Sequence, residues 1–165
     1  MILIGLGANL ASAEFGAPPA SLEAALRMLQ ESGVRIVARS RWYRSAPVPA
    51  SSQPWFVNGV AAVETTLDPV ALLALLHEIE ARFGRVRRER NAARVLDLDL
   101  LDYAGRVSGP DDPPPILPHP RLSERAFVLR PLAEVALHWR HPRSGADVPT
   151  LLAGLPPGQT AEPMA

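Results

Sequence analysis

The segment Arg94-Val95-Leu96-Asp97-Leu98-Asp99-Leu100 carries the sharpest chemical pattern in the chain. Side chains at i and i+2 of a β-strand leave the same face, so a strand here sets Asp97 and Asp99 side by side. Adjacent carboxylates repel unless a cation offsets them, and a hard divalent ion such as magnesium is the natural partner. The polar face of an ordinary amphipathic strand would show the same alternation. The residues just upstream help to separate these readings. Residues 82–94 hold six arginines, Arg82, Arg85, Arg87, Arg88, Arg90 and Arg94, against one acid, Glu89. An acid pair beside an arginine cluster is the layout for a metal-bound polyphosphate, with guanidinium forks on the phosphate oxygens. Ion pairing with nearby acids and contact with nucleic acid are the competing readings of the cluster.

Two further constellations could serve a ligand. Pro118-His119-Pro120 holds a histidine between two residues of fixed φ, which pins its backbone and aims its ring. Phe56 and Asn58 lie at alternate positions of one predicted strand, beside the proline-rich stretch Ser45–Pro54. An aromatic ring and an amide on one face can hold a flat heterocycle by stacking and hydrogen bonds. Core and turn roles would use the same two residues.

Composition limits the chemistry. The chain has 165 residues, 47% hydrophobic and 21% charged, the size of one domain. It has no cysteine and no lysine, so all 17 basic residues are arginine. A thiol nucleophile, a Cys-ligated metal, a disulfide framework, a Schiff-base lysine and a lysine-bearing P-loop are excluded. Any phosphate must meet arginine, backbone amides, histidine or a metal. Formal net charge is zero and the pI near 6.9, which offers no global field for nucleic acid or an anionic membrane. No apolar run approaches the roughly 20 residues of a membrane span. Met1-Ile2-Leu3-Ile4-Gly5 lacks the charged n-region of a signal peptide, so a cytoplasmic protein is expected.

The elements that must position these residues follow from periodicity. Residues 1–7 read as a buried strand and 11–19 as a loop. A helix is expected near 21–32, with Ser21 as cap and Gly33 as stop. Val34–Tyr43 alternates as a strand, and three prolines make 45–54 a loop. Phe56–Thr66 returns to strand. Asp68-Pro69 is a helix start, with Leu72, Leu75, Leu76 and Ile79 facing inward and Gly84 ending it. Val95–Tyr103 is a strand, Gly109–Pro118 irregular, and Ser123–Ala136 helical despite Pro131. The order βαββαβ predicts an α+β, ferredoxin-like sandwich: an antiparallel sheet, helices on one face and an added helical C-terminal segment. The domain is expected over 1–140, followed by a polar, Pro/Gly-rich tail over 141–165 that frays.

Taken in order, the pieces resemble the 6-hydroxymethyl-7,8-dihydropterin pyrophosphokinase family of folate biosynthesis. The resemblance runs from Ile4 to about Leu137. It is carried by Gly5-Leu6-Gly7-Ala8-Asn9-Leu10, Tyr43-Arg44-Ser45-Ala46-Pro47, Gln53-Pro54-Trp55-Phe56-Val57-Asn58, Ile79-Glu80 before Gly84-Arg85, the R-x-L-D-L-D segment, Pro118-His119-Pro120-Arg121 and Arg125-Ala126-Phe127-Val128-Leu129. It implies an ATP-dependent diphosphotransferase that moves pyrophosphate to the pterin hydroxymethyl group and releases AMP. Asp97 and Asp99 would hold two Mg2+ ions, with Arg85 and Arg94 sharing the catalytic site. His77, Arg85, Arg87, Arg94, His119 and Arg125 would contact the nucleotide, and Glu80 lies one turn beyond His77. Phe56 and Phe127 would sandwich the pterin, with Asn58 and the backbone of Ser45, Ala46, Pro47 and Val48 reading its edge. Partners would be two small molecules, without nucleic acid or membrane, on a monomer. The loops at 11–19, 45–54 and 86–93 are candidates to close over the ligands. Asn91-Ala92-Ala93 replaces the aromatic-Gly-Pro frequent in the family before this arginine. A ferredoxin-like nucleic-acid module and a magnesium phosphohydrolase are the alternative functions.

Overall fold

The apolar, glycine-punctuated opening of the chain becomes an inner strand, β1 (Ile2–Ala8), in the computed structural model, which describes residues 1–47, 49–84 and 93–164. It pairs antiparallel with β4 (Phe56–Glu64) on one side and β5 (Asp97–Tyr103) on the other. The far edge of β4 carries β2 (Arg35–Arg39) and β3 (Tyr43–Ser45), and β6 (Ala161–Pro163) adds to β3. Helices α1 (Pro18–Glu31) and α2 (Pro69–Arg82) join the strands of the expected antiparallel α+β arrangement. The C-terminal part supplies α3 (Ala126–Val135) and α4 (Val148–Ala153).

Strand alternation sorts the core into two layers. Ile2, Ile4 and Leu6 pack with Leu22, Leu26 and Leu29 of α1 and Leu72, Leu76 and Ile79 of α2. Leu3, Val60, Ala62 and Leu101 face the other way and meet Leu129 and Leu132 of α3 and Val148 of α4. Thus α1 and α2 share one face, and the added C-terminal helices cover the opposite one. Among the described residues no helix is long and apolar enough to cross a membrane.

Several local expectations hold and others shift. Asp68 caps α2, its side chain accepting from Ala71 N at 2.8 Å, and Gly84 ends the helix at φ +78°. Ser21 is not a cap. Pro18 and Pro19 open α1 three residues earlier, where their missing N–H groups need no acceptor, and Ser21 is buried inside the helix. The strand expected over 34–43 divides into β2 and β3. Between them the Ser40 hydroxyl accepts from Val60 N at 3.0 Å, and the Trp42 ring fills the space over Gly59, where a Cβ would stand 2.5 Å from it. The helix expected from Ser123 begins as a 3-10 turn, Leu122–Glu124, and restarts as α3 after extended backbone at Arg125.

The fraying expected of the C-terminal residues is overturned. Asp147 caps α4 by accepting from Thr150 N at 2.9 Å, and Val148 is fully buried. β6 pairs Ser45 with Ala161 and Arg44 with Glu162, while Met164 N donates to Trp42 O at 2.8 Å. The polar, proline-rich composition belongs to the exposed side of this segment. Its backbone hydrogen bonds and a few buried apolar residues hold it to the sheet.

Candidate active site

The floor of the site is the sheet face under α3. Antiparallel register sets Asp97 beside Gly7 and Gly7 beside Asn58, and in the next row Asp99 beside Gly5 and Gly5 beside Val60. The two glycines therefore separate the carboxylates from β4 without a side chain between them. A Cβ at Gly7 would lie 2.8 Å from Asn58 Nδ2, so the Asn58 carboxamide occupies that space. Asn58 is fixed in turn by Ser45, whose buried Oγ donates to Asn58 Oδ1 at 2.6 Å.

Asp97 and Asp99 leave this face half-buried, and Leu98 between them points into the opposite core layer. The Leu98 N–H donates to Glu80 Oε2 at 2.8 Å, a contact from α2 that fixes the backbone midway between the aspartates. Arg94 Nη1 reaches Asp97 Oδ2 at 3.2 Å. Asn9, buried at the end of β1, ties the neighbouring loops together. It accepts from Arg94 N at 2.7 Å and donates from Nδ2 to Gln53 Oε1 and Pro54 O, each at 3.0 Å. Its own N–H and that of Leu10 both donate to Arg94 O. These bonds start β5 at Asp97, two residues after the expected Val95.

A cleft of about 260 Å³ opens beside this floor. Pro47, Pro49, Gln53 and Phe56 form one wall; Arg121, Glu124, Arg125 and Phe127 form the other; Arg94 and Asp97 lie at the base. A small recess of about 30 Å³ continues from it over Gly5 and Gly7, lined by Asp97, Asp99, Asn58 and Phe127. The space thus has aromatic sides, an amide, carboxylates and guanidinium groups within one opening. That combination suits a flat heterocycle at one end and a polyphosphate at the other.

His119 is anchored to β5 by its backbone N–H, which donates to Leu101 O at 2.9 Å; it feels the charge of Asp97 but is not among the residues lining the cleft or its recess. Burial, with Arg125 and Arg121 adding to it against Asp97, pulls its pKa down to about 4. The ring is therefore neutral near pH 7. Its Nδ1 accepts from Arg121 N at 3.1 Å, which places the proton on Nε2 and makes that nitrogen a donor. Burial also lowers the Arg125 pKa, opposed by Asp99 and Asp97, and the guanidinium stands 5.3 Å from the Phe127 ring centroid.

Most of the predicted residues converge. Pro47, Phe56, Arg94, Asp97, Arg125 and Phe127 line the cleft, and Asp99 and Asn58 line its recess. Ser45 supports Asn58 from below, and the Ala46 N–H donates to Thr160 O at 3.3 Å. His77 is exposed on α2 and lines neither space. Val48, Arg85 and Arg87 lie outside the described residues. Arg82, from the arginine cluster, faces Glu14 at 3.5 Å instead. Sequence reasoning missed Asn9, Gln53, Arg121 and Glu124, and did not assign Gly7 a task. Asn9 and Gly7 lie in a quoted motif, where a glycine and an amide ending an apolar strand were the available signal. Among the described residues no cluster of three or more His, Asp or Glu side chains is placed to hold a metal. Two carboxylates on an open floor fit Mg2+, which keeps waters and takes substrate phosphate oxygens in place of a full protein cage.

The family model described as 7,8-dihydro-6-hydroxymethylpterin-pyrophosphokinase matches residues 3–137. The chain is 44% identical over 135 residues to the 2-amino-4-hydroxy-6-hydroxymethyldihydropteridine pyrophosphokinase of Methylorubrum extorquens, covering 81% of this chain and 80% of that protein. It is 42% identical over 156 residues to the protein of the same description from Pseudomonas aeruginosa, covering 94% and 91%. A solved structure described as HPPK-DHPS in complex with substrates superposes with a TM-score of 0.65 at 13% identity, covering 92% of this chain and 42% of that one. That last likeness concerns the fold.

Proposed function

From its membership of the 7,8-dihydro-6-hydroxymethylpterin-pyrophosphokinase family, to which the chain belongs, we propose how its cleft works. The reaction is transfer of pyrophosphate from ATP to 6-hydroxymethyl-7,8-dihydropterin in folate biosynthesis, giving the pterin diphosphate and AMP. The nucleic-acid and phosphohydrolase alternatives have no support from the relatives. The pterin hydroxyl oxygen forms a bond to the β-phosphorus, and the bond from that phosphorus to the α–β bridging oxygen breaks. The electron pair leaves with AMP. The hydroxyl proton is lost, and no side chain is assigned as its acceptor.

In this reading Phe56 and Phe127 stack on the two faces of the pterin, and Asn58, oriented by Ser45, reads its edge together with backbone from Ser45 to Val48. Asp97 and Asp99 hold two Mg2+ ions. The ions supply charge neutralisation on the triphosphate when bound. Arg94 and Arg125 take phosphate oxygens, neutral His119 donates from Nε2, and Arg85, Arg87 and His77 serve the nucleotide. Positioning and charge stabilisation carry such a transfer with little covalent chemistry, which suits a chain without cysteine or lysine. The same reading makes the protein a monomer acting in the cytoplasm on two small molecules.

The observation that supports this most directly is that Asp97, Asp99, Asn58 and Phe127 line one recess continuous with the Phe56 cleft through Asp97 and Phe127. Calorimetry with Mg2+, a non-hydrolysable ATP analogue and hydroxymethylpterin tests it. Each ligand should bind, and nucleotide binding should require the metal and be lost in Asp97→Asn. Pterin binding that survives loss of both Phe56 and Phe127 side chains would remove the stacking assignment.

A further inference from the structure

We propose that Gln159 is a positioning residue for the pterin wall of the cleft, acting from a C-terminal segment that braces both sides of the site. The proposal rests on the reading of Phe56, Phe127 and Asn58 as the pterin site, with Phe127 on the wall that Gln159 braces.

Helix α3 lacks a side-chain cap from its own N-cap residue. The first amides of a helix have no intrahelical acceptor, and the N-cap of α3, Arg125, supplies no side-chain bond. Ala126 is 1% exposed, so its N–H cannot turn to water. Gln159 Oε1 accepts from it at 2.9 Å. The same carboxamide donates from Nε2 to Glu124 O at 2.7 Å. One planar amide thus fastens the backbone on both sides of Arg125, the residue whose guanidinium stands over Phe127.

The residues that follow Gln159 serve the opposite wall. Thr160 O accepts from Ala46 N at 3.3 Å, directly before the wall residue Pro47. Ala161 pairs with Ser45, the residue that holds Asn58. Tyr43, Ala126 and Ala161 form a buried cluster against which Phe127 and Leu155 pack. The stretch 159–161 is therefore joined to the Arg125–Phe127 side and to the Ser45–Pro47 side at once. It lies beyond residue 137, where the family match ends. A hydrogen-bonded amide bridging the two ends of a short segment sets the angle of that segment, and small misplacements of a stacking wall are costly to substrate alignment.

Gln159→Met keeps the side chain's length and removes both hydrogen bonds; Gln159→Glu keeps the acceptor for Ala126 N and loses the donor to Glu124 O. Steady-state kinetics with both substrates, beside thermal melts, separate the outcomes. Q159M should raise the KM for the pterin about tenfold while the KM for ATP stays within about twofold. Q159E should fall between Q159M and the unaltered chain. An unchanged pterin KM in Q159M, or an equal rise in both KM values, overturns the proposal. If Q159M does not fold, Q159E decides alone: a selective rise in pterin KM supports the proposal, and its absence overturns it. If the unaltered chain stacks its pterin elsewhere, so that loss of Phe56 and Phe127 leaves pterin affinity unchanged, the underlying reading falls and takes this one with it.

Discussion

The Asn58 carboxamide nitrogen sits 2.8 Å from where a Cβ on Gly7 would be, so the amide of β4 fills a position that only glycine on β1 leaves open. This is a close-approach glycine, chosen for what lies above it. Gly7→Ala should push the Asn58 amide away from Asp97 and break its 2.6 Å bond to Ser45. The expected result is a rise in pterin KM of about tenfold or more, with ATP binding affected far less. Steady-state kinetics with each substrate varied in turn checks this.

Replacing either floor carboxylate should stop the chemistry and spare the fold. Asp97 and Asp99 are half-buried, and Asn is nearly isosteric with Asp, so packing changes little. Asp97→Asn and Asp99→Asn should each lower kcat by about 10³-fold or more, because the charge that holds the metal is lost. Their melting temperatures should stay within a few degrees of the unaltered chain. AMP release over a magnesium titration reads the effect.

His119 should stay neutral across the physiological range. Its pKa of about 4 lies below the ordinary histidine value, so between roughly pH 4 and 6.5 the unfolded chain binds a proton that the folded chain does not. The stability due to neutral His119 is thus fully present above about pH 6.5 and is lost as pH falls toward 4. NMR titration of the free protein should give a His119 midpoint near 4, with the proton on Nε2 above it. A midpoint near 6.5 would remove the neutral-donor role.

Asn9 should act on stability and activity together. Asn9→Ala leaves Arg94 N and the Gln53 side chain without the partners they have at 2.7 and 3.0 Å. A loss of about 1–3 kcal/mol is expected for a buried amide left unpaired, measured by urea unfolding. Turnover should fall as well, because the same residue anchors Arg94 next to Asp97. Asn9→Asp should recover part of the stability, since it can still accept from Arg94 N.

The legible parts of the fold were those written in local chemistry. Asp68-Pro69 and Gly84 bound α2 because a cap and a left-handed residue act within a few positions. The Leu96–Leu100 alternation predicted the two faces of β5 correctly, since strand period is a property of the strand alone. Phe56, Asn58 and Phe127, which line the cleft and its recess, could be singled out only through the ordered motifs of the family resemblance. What escaped depends on partners distant in sequence. The break between β2 and β3 is made by Trp42 over Gly59, and the strand β6 by pairing of Ala161 with Ser45. A stretch of Pro, Gly and polar residues reads as fraying when its partner is about a hundred residues away. Asn9 and Gln159 escaped for the same reason: a lone amide carries no periodic signature.

The bond from Leu98 N to Glu80 has a second consequence. Among the described residues β5 is the last strand on its side of the sheet, and an outer strand presents unpaired backbone donors to any extended peptide nearby. At the rung between Asp97 and Asp99 that donor is already taken by a carboxylate from α2, itself only 1% exposed. A foreign strand arriving there would find that amide already engaged by the buried Glu80 side chain. The rim of the sheet that bears Asp97 and Asp99 thereby offers one free donor fewer to edge-on association.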